Sequence, residues 1–260
     1  MSVVLAISTW PHTRAAAEIL LVVQTERRDA GSSFAPLGDY LTRVVSEKVR
    51  VEVRHNPLVH WRALISGERP ALVLEDPHFA DYRISRSGYR IAAAIDGVQS
   101  FIVAVGGLLL LDPGELAGQP VAALSPPSLS TMQFLSFFSD PVRTPRLIEA
   151  ATYRDAAAQV IGARALAAVL PSTRLREFSE LTGALALEDL PAQALLVSPD
   201  LDEGLYTDIG AALLNAAGDE QGRWMLEAIG VRGFIRSHPE AYEGLSRLLK
   251  GTWGYRNAAP

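Results

Sequence analysis

The chain has 260 residues, of which 48% are hydrophobic and 20% charged, so it can bury a sizeable core and is not expected to be disordered. Its formal net charge of −5 argues against a nucleic-acid partner, because neutralising phosphates requires a clustered cationic face. The absence of cysteine excludes disulfides, thiolate metal sites and thiol nucleophiles, and it leaves the redox compartment open.

The first part of the sequence predicts strands and helices in alternation. Val3 to Ser8 is a short apolar run that predicts a buried strand, and His12 to Gln24, rich in alanine and leucine, predicts a helix. Pro36 to Ser46 places its leucines and valines on one face of a second helix. Val49 to Arg54 alternates valine with charged residues, which is typical of a strand exposed on one side.

The next elements complete a βαβαβ order. Trp61 to Gly67 predicts a short helix, and Ala71 to Leu74 predicts a buried strand. This order indicates a parallel sheet with helical crossovers. Ile91 to Ala94 and Ser100 to Val105 predict two further strands separated by a turn.

A second parallel unit is predicted in the middle of the chain, followed by a helical tail from Leu201 to Leu249. Its elements are, in order, strand Val121–Leu124, helix Met132–Phe138, strand Ile148–Ala150, helix Arg154–Ile161, strand Ala165–Leu170 and strand Gln193–Val197. No segment has the ~20 uninterrupted apolar residues that a membrane span requires, so we expect no membrane insertion.

The N-terminus lacks the features of a secretory signal peptide. Met1 and Ser2 lead directly into an apolar strand, without a basic segment or a small-residue cleavage site. We therefore expect either a periplasmic protein whose leader has been removed or a cytoplasmic protein.

Six stretches, taken in this order, resemble the phosphate, phosphite and phosphonate substrate-binding proteins of ABC transporters. This family is a branch of the type II periplasmic-binding superfamily. The stretches are Pro36–Leu41 with Val49–Val53, Asp112–Leu124, Ser125–Thr131, Tyr153–Ala157, Ala194–Pro199 and Gly230–Phe234.

The resemblance implies a two-lobed α/β fold with a mostly parallel, helix-flanked sheet in each lobe. Residues 1–98 and 197–260 would form lobe one and residues 99–196 lobe two, with two crossover strands near Ser100 and Leu195 as a hinge. It also implies a monomer that closes around a small anionic ligand and delivers it to a transporter permease, without a cofactor.

The strongest candidate for ligand contact is the turn that contains Ser128, Ser130 and Thr131. It lies between a predicted strand and a predicted helix, where free N–H groups and the positive end of the helix dipole favour an anion. The resemblance implies that a Ser/Thr-rich turn at this place binds phosphonate or phosphate oxygens. Ordinary helix capping is the alternative explanation.

Other candidates follow predicted strands of lobe one, where ligands bind in open α/β sheets. Thr9 and Trp10 follow the first predicted strand, and Trp10 could form a pocket wall or simply pack in the core. Glu75 and Asp76 form a carboxylate pair that could hold the amine of an aminoalkyl ligand, and Asp76 could instead cap a helix before Pro77. His78 could donate to an oxyanion or be a satisfied surface or core histidine, and Tyr82 comes shortly after.

In lobe two, Arg154 could supply a charge-assisted contact to an anion, or it could be a solvated side chain. The five histidines show no metal-binding spacing, and neither a dinucleotide fingerprint nor a P-loop nor a nucleophile elbow occurs. We therefore expect no metal site and no catalytic residues.

Three function classes fit the sequence. The first is a solute-binding protein for a small oxyanion-bearing ligand. The second is a sensor with the same fold that signals to a kinase or regulator, which a pulldown partner would distinguish. The third is a cytoplasmic enzyme on this fold, resembling chorismate dehydratases or thiamin-pyrimidine synthases, and turnover of a candidate substrate would support it.

Overall fold

The computed structural model describes residues 18–26, 33–107, 110 and 112–256. Its strands are β1 (Ile19–Gln24), β2 (Val49–Arg54), β3 (Leu72–Glu75), β4 (Arg90–Ile95), β5 (Val98–Gln99), β6 (Phe101–Val105), β7 (Pro120–Leu124), β8 (Arg146–Ala150), β9 (Ala167–Pro171), β10 (Thr182–Ala186), β11 (Leu190–Pro191), β12 (Ala194–Val197) and β13 (Phe234–Ile235). Its α-helices are α1 (Ala35–Val45), α2 (Pro57–Ile65), α3 (Pro77–Ser87), α4 (Leu129–Leu135), α5 (Tyr153–Ile161), α6 (Glu203–Leu214) and α7 (Glu220–Ile229).

The strands form two larger sheets, each with its own hydrophobic core. The first has the order β13-β4-β12-β3-β1-β2, and the second has the order β10-β6-β9-β7-β8. Each sheet contains three neighbouring parallel strands, β2-β1-β3 in the first and β8-β7-β9 in the second. The remaining strands of each sheet are antiparallel to their neighbours. The predicted two-lobed α/β architecture is confirmed, and both sheets are mixed.

Two short connections join the sheets. The chain leaves the first sheet after β4 and returns to it at β12, and between these points β5 pairs with β11 in an antiparallel two-stranded sheet. The predicted two-strand connection lies near Ser100 and Leu195; the observed pair lies beside Ser100 but a few residues before Leu195, which belongs to β12. The predicted lobe boundaries, 1–98 with 197–260 and 99–196, remain a proposal, and β12 forms its hydrogen bonds within the first sheet.

The C-terminal segment contacts both halves of the molecule. Leu245 and Leu248 pack against the core of the second sheet. Leu249, in the same 3-10 turn, packs with Trp61 and Phe79 on the side of the first sheet. This segment therefore spans the two lobes at a position separate from the paired connections.

The helix predicted for His12–Gln24 is wrong over its last residues, because Ile19–Gln24 is strand β1. Leu21, Val22 and Val23 are fully buried, and β1 lies between β2 and β3 in the first sheet. A strand covered on both faces has a continuous apolar run without alternation, which periodicity does not distinguish from a buried helix. The strand predicted at Val3–Ser8 lies outside the described residues.

Within the described ranges, no helix combines the length and apolar character needed to cross a bilayer.

Gly222, in the first turn of α7, and Gly218, in the 3-10 turn before it, test how closely α7 packs against that turn. A Cβ on Gly222 would stand 2.1 Å from the Ala216 carbonyl oxygen, whereas a Cβ on Gly218 would meet nothing within 4 Å. Because the obstacle is backbone, we expect Gly222→Ala to lower the free energy of unfolding by about 1–3 kcal/mol. We expect Gly218→Ala to change it by less than about 0.5 kcal/mol. Urea denaturation measures both, and equal stabilities would contradict the packing described here.

Candidate functional site

A cavity of about 720 Å³ lies between the two sheets, beside the paired connections. Three groups of residues line it. The first sheet contributes Thr25, Glu26 and Asp76; the connections contribute Val98, Gln99, Ser100 and Gln193; the second sheet and its flanks contribute Phe101, Thr152, Tyr153, Arg154, Pro171, Thr173, Arg174 and Glu177.

Parallel pairing explains why the polar side chains meet here. β1 ends at Gln24 and β3 at Glu75, so Glu26 and Asp76 follow the carboxyl ends of neighbouring parallel strands. In open α/β sheets this edge is where ligands bind. In the second sheet, Thr152 and Tyr153 come directly after β8, where Thr152 caps α5 by accepting the Asp155 N–H.

Glu26 is a carboxylate that the fold has removed from water. Tyr153 donates its hydroxyl hydrogen to Glu26 Oε2, which joins the two lobes. The other oxygen, Oε1, is buried and has no hydrogen-bond partner among the described residues. Burial and the negative charge of Asp76 raise the pKa of Glu26 to about 8, and the Tyr153 hydrogen bond opposes that rise.

Asp76 is the second buried carboxylate of the cavity. It accepts hydrogen bonds on Oδ1 from Gln99 Nε2, at 3.1 Å, and from Gln193 Nε2, at 3.0 Å. Burial raises the pKa of Asp76 to about 6, although these hydrogen bonds lower it. Asp76 is also the N-cap residue of α3, but its side chain makes no capping hydrogen bond.

The opposite side of the cavity carries positive charge. Arg174 forms two hydrogen bonds with Glu177, at 2.9 and 2.8 Å. Arg154 lies 4.0 Å from Glu177, and its side chain is 75% exposed, so its guanidinium is accessible to a ligand entering the cavity. The cavity is therefore polarised, with two carboxylates on the side of the first sheet and, on the side of the second, two arginines that share one carboxylate, Glu177.

The predicted Ser/Thr turn is buried beneath the cavity lining and does not form part of it. Ser128, Ser130 and Thr131 are fully buried and do not line the cavity. Ser128 donates to Thr131 Oγ1, and Thr131 donates to the Leu124 carbonyl oxygen at 2.7 Å. Tyr153 bridges the turn to the cavity, because its hydroxyl lies 3.2 Å from Ser130 Oγ.

The remaining residues predicted from sequence are placed in different surroundings. His78 is fully buried and donates from Nε2 to the Pro127 carbonyl oxygen at 2.9 Å, a second contact between lobes, and burial lowers its pKa to about 4. Tyr82 packs edge-on against Trp61 in a separate apolar cluster. Thr9 and Trp10 lie outside the described residues.

The structure thus brings Asp76 and Arg154 to one cavity and adds residues that the sequence analysis did not select. Glu26, Gln99 and Gln193 are the chief additions. Glu26 follows the segment that the sequence predicts as the helix His12–Gln24, whereas recognising Ile19–Gln24 as a strand places Glu26 beyond a strand end. Over the described part of the chain, no group of three or more histidine and acidic side chains is arranged to hold a metal ion.

A family model described as "ABC transporter, phosphonate, periplasmic substrate-binding protein" matches residues 19–242. The chain belongs to this family. Its members are the substrate-binding components of transporters, so the protein binds a solute and is not an enzyme, as the sequence analysis predicted. We found no match to the sequence among curated proteins.

Solved structures of low sequence identity share the fold. A Xanthomonas citri protein bound to ATP has a TM-score of 0.73 at 15% identity, with 89% of this chain and 96% of that chain covered. PhnD1 from Prochlorococcus marinus in complex with methylphosphonate has a TM-score of 0.71 at 12% identity, with 89% and 97% covered. A binding protein component of a Pseudomonas aeruginosa ABC phosphonate transporter has a TM-score of 0.69 at 11% identity, with 89% and 85% covered.

The raised pKa values predict a pH dependence of stability. A carboxyl whose pKa is higher in the folded than in the unfolded state contributes stability at low pH, and this is lost as pH rises through the folded pKa. We therefore expect the free energy of unfolding to fall as pH rises from about 4, the usual carboxyl pKa in an unfolded chain, with the contribution of Asp76 lost by about pH 6 and that of Glu26 by about pH 8.

Glu26→Gln should flatten the upper part of this decline, because the amide carries no titrating proton. Urea denaturation at a series of pH values measures the free energy of unfolding of each variant. Glu227→Gln, at an exposed glutamate on α7, is the control. Parallel curves for the wild type and Glu26→Gln would show that Glu26 titrates normally.

Proposed function

We propose that this solute-binding protein captures a small ligand that carries both an oxyanion and a cationic group, and that the 720 Å³ cavity is its binding site. Glu26 and Asp76 receive the cationic group, and Arg154 contacts the oxyanion. The observation that carries this proposal is the pair of buried carboxylates whose hydrogen-bonding neighbours, among the described residues, are neutral.

Charge balance supports a cationic group on the ligand. Burial raises the pKa of both Glu26 and Asp76, and the negative charge of Asp76 raises the pKa of Glu26 further. A cation placed between them would favour their ionised forms. An ammonium group also supplies the hydrogen-bond donor that the buried Glu26 Oε1 lacks.

The family description and the arginines on the opposite side of the cavity support an oxyanion on the ligand. Phosphonates are the substrates named for the family, and a guanidinium suits a phosphonate because it donates two parallel hydrogen bonds. A nucleotide such as the ATP of the Xanthomonas citri structure fits the cavity less well, because its phosphates would add negative charge beside two carboxylates.

We further propose that the protein acts as a monomer in the periplasm and delivers its ligand to a membrane permease of an ABC transporter. The family description supports both the compartment and the transporter. The two connections near Gln99 and Gln193 would serve as the hinge on which the lobes close.

Two phosphonates that differ in charge test the cationic subsite. We expect 2-aminoethylphosphonate to bind more tightly than methylphosphonate in isothermal titration calorimetry near neutral pH. Asp76→Asn should weaken the aminoethyl compound by about tenfold or more, or about 1.4 kcal/mol, because the amide lacks the negative charge. Asp208→Asn, at an exposed aspartate on α6, is the control. Tighter binding of methylphosphonate, or an Asp76→Asn variant with wild-type affinity, would contradict the proposal.

A second set of variants tests the position of the oxyanion. We expect Arg154→Gln to weaken binding of both phosphonates by about tenfold, because a charge-assisted hydrogen bond is lost. Arg164→Gln, an exposed arginine of the same lobe, should bind normally. If Ser130→Ala reduces affinity while Arg154→Gln does not, the oxyanion lies at the buried Ser/Thr turn and Tyr153 must move to admit it.

A further inference from the structure

Two glutamines hold the carboxylate of Asp76 from different parts of the chain. Gln99 Nε2 and Gln193 Nε2 both donate to Oδ1, which leaves Oδ2 outside this pair of hydrogen bonds. Gln193 Nε2 also lies 2.9 Å from the carbonyl oxygen of Gln24, at the end of β1. The two glutamines thus bind the same oxygen of Asp76 from positions 23 and 117 residues away in the chain.

The glutamines themselves are fixed by the connections between the lobes. Gln99 lies in β5 opposite Leu190 of β11, and its partner strand leads directly to Gln193. The carbonyl oxygen of Gln193 accepts a hydrogen bond from the Ile95 N–H at 2.9 Å. Because one glutamine stands on each connection, the position of the Asp76 carboxylate depends on the geometry of both.

The amide side chain suits this task for a chemical reason. A carboxamide donates a hydrogen bond without carrying charge, so it stabilises a carboxylate and leaves its negative charge available. An arginine or lysine at the same place would form an ion pair with Asp76 and compete with a ligand cation. The neighbouring Glu75 shows that alternative, because Arg83 and His60 bind its oxygens at 2.9 and 2.7 Å.

We propose that Gln99 and Gln193 are positioning residues that orient the Asp76 carboxylate, with Oδ2 foremost, toward the cationic group of the ligand. They act through Asp76 and need no contact with the ligand themselves. The inference rests on the proposed function for its ligand, and the hydrogen bonds that carry it are those between Asp76 and the two glutamines. It assigns a role in ligand recognition to the two connections between lobes.

The first experiment requires no ligand. The Asp76 carboxyl carbon is titrated by carbon-13 NMR in the wild type, Gln99→Leu, Gln193→Leu and the double variant. Hydrogen bonds to the charged form lower a carboxyl pKa, so each variant should raise the pKa of Asp76 above its value of about 6, and the double variant should raise it furthest. Gln159→Leu, a partly buried glutamine on α5, should leave it unchanged. Unchanged titration in the double variant would overturn the inference.

The second experiment measures affinity for 2-aminoethylphosphonate against pH. The single leucine variants should weaken binding near neutral pH by about threefold to tenfold, with recovery at higher pH as Asp76 ionises, whereas methylphosphonate affinity should stay the same. A purely structural effect would weaken both probes at every pH and would also overturn the inference. If a leucine variant does not fold, Gln193→Asn, which keeps the amide but shortens its reach, takes its place with the same expected direction.

The two proposals fail in different ways. Wild-type affinity in Asp76→Asn would overturn the cationic subsite, whatever the glutamine variants do. Weakened binding in Asp76→Asn, together with unchanged affinity and unchanged Asp76 titration in the double leucine variant, would overturn only the positioning role.

Discussion

The burial of two carboxylates between the lobes is the constraint on which the site depends. Glu26 and Asp76 follow the ends of adjacent parallel strands, and the second sheet covers them through Tyr153. Removing a carboxylate from water is costly unless hydrogen bonds or a counter-charge compensate. The described residues that hydrogen-bond this pair are neutral donors, so protonation compensates part of the cost of burial, and we propose that the cationic group of the ligand does so in the complex.

Glu75 and Asp76 are neighbours at the end of β3, but their carboxylates have different surroundings and different roles. Glu75 is fully buried with Arg83 and His60, and the charge of Arg83 and the His60 hydrogen bond lower its pKa to about 2 against the opposing effect of burial. Its charge is satisfied internally, so it anchors α2 and α3 to β3. Asp76 lines the cavity, and its hydrogen-bond partners in the described part of the chain are amides, which leave its charge uncompensated.

The lobes meet through contacts at the same place where the ligand is proposed to bind. Tyr153 links Glu26 to Ser130, and His78 links α3 to Pro127 at the start of the Ser/Thr turn. A ligand that engages Glu26 therefore acts directly on a hydrogen bond that holds the two halves together. Tyr153 would therefore couple ligand binding to the hinge closure that we propose.

The sequence by itself determined the alternation of strands and helices, the two-lobed class, the family, and the presence of Asp76 and Arg154 near strand ends, because these follow from local periodicity and from motif order. It did not determine β1, since a run buried on both faces carries no periodic signal. Only the tertiary structure brought Glu26, Gln99 and Gln193 to Asp76 and buried Ser128, Ser130 and Thr131 behind Tyr153. Those contacts join residues far apart in the chain, and their distances depend on how the two sheets pack against each other.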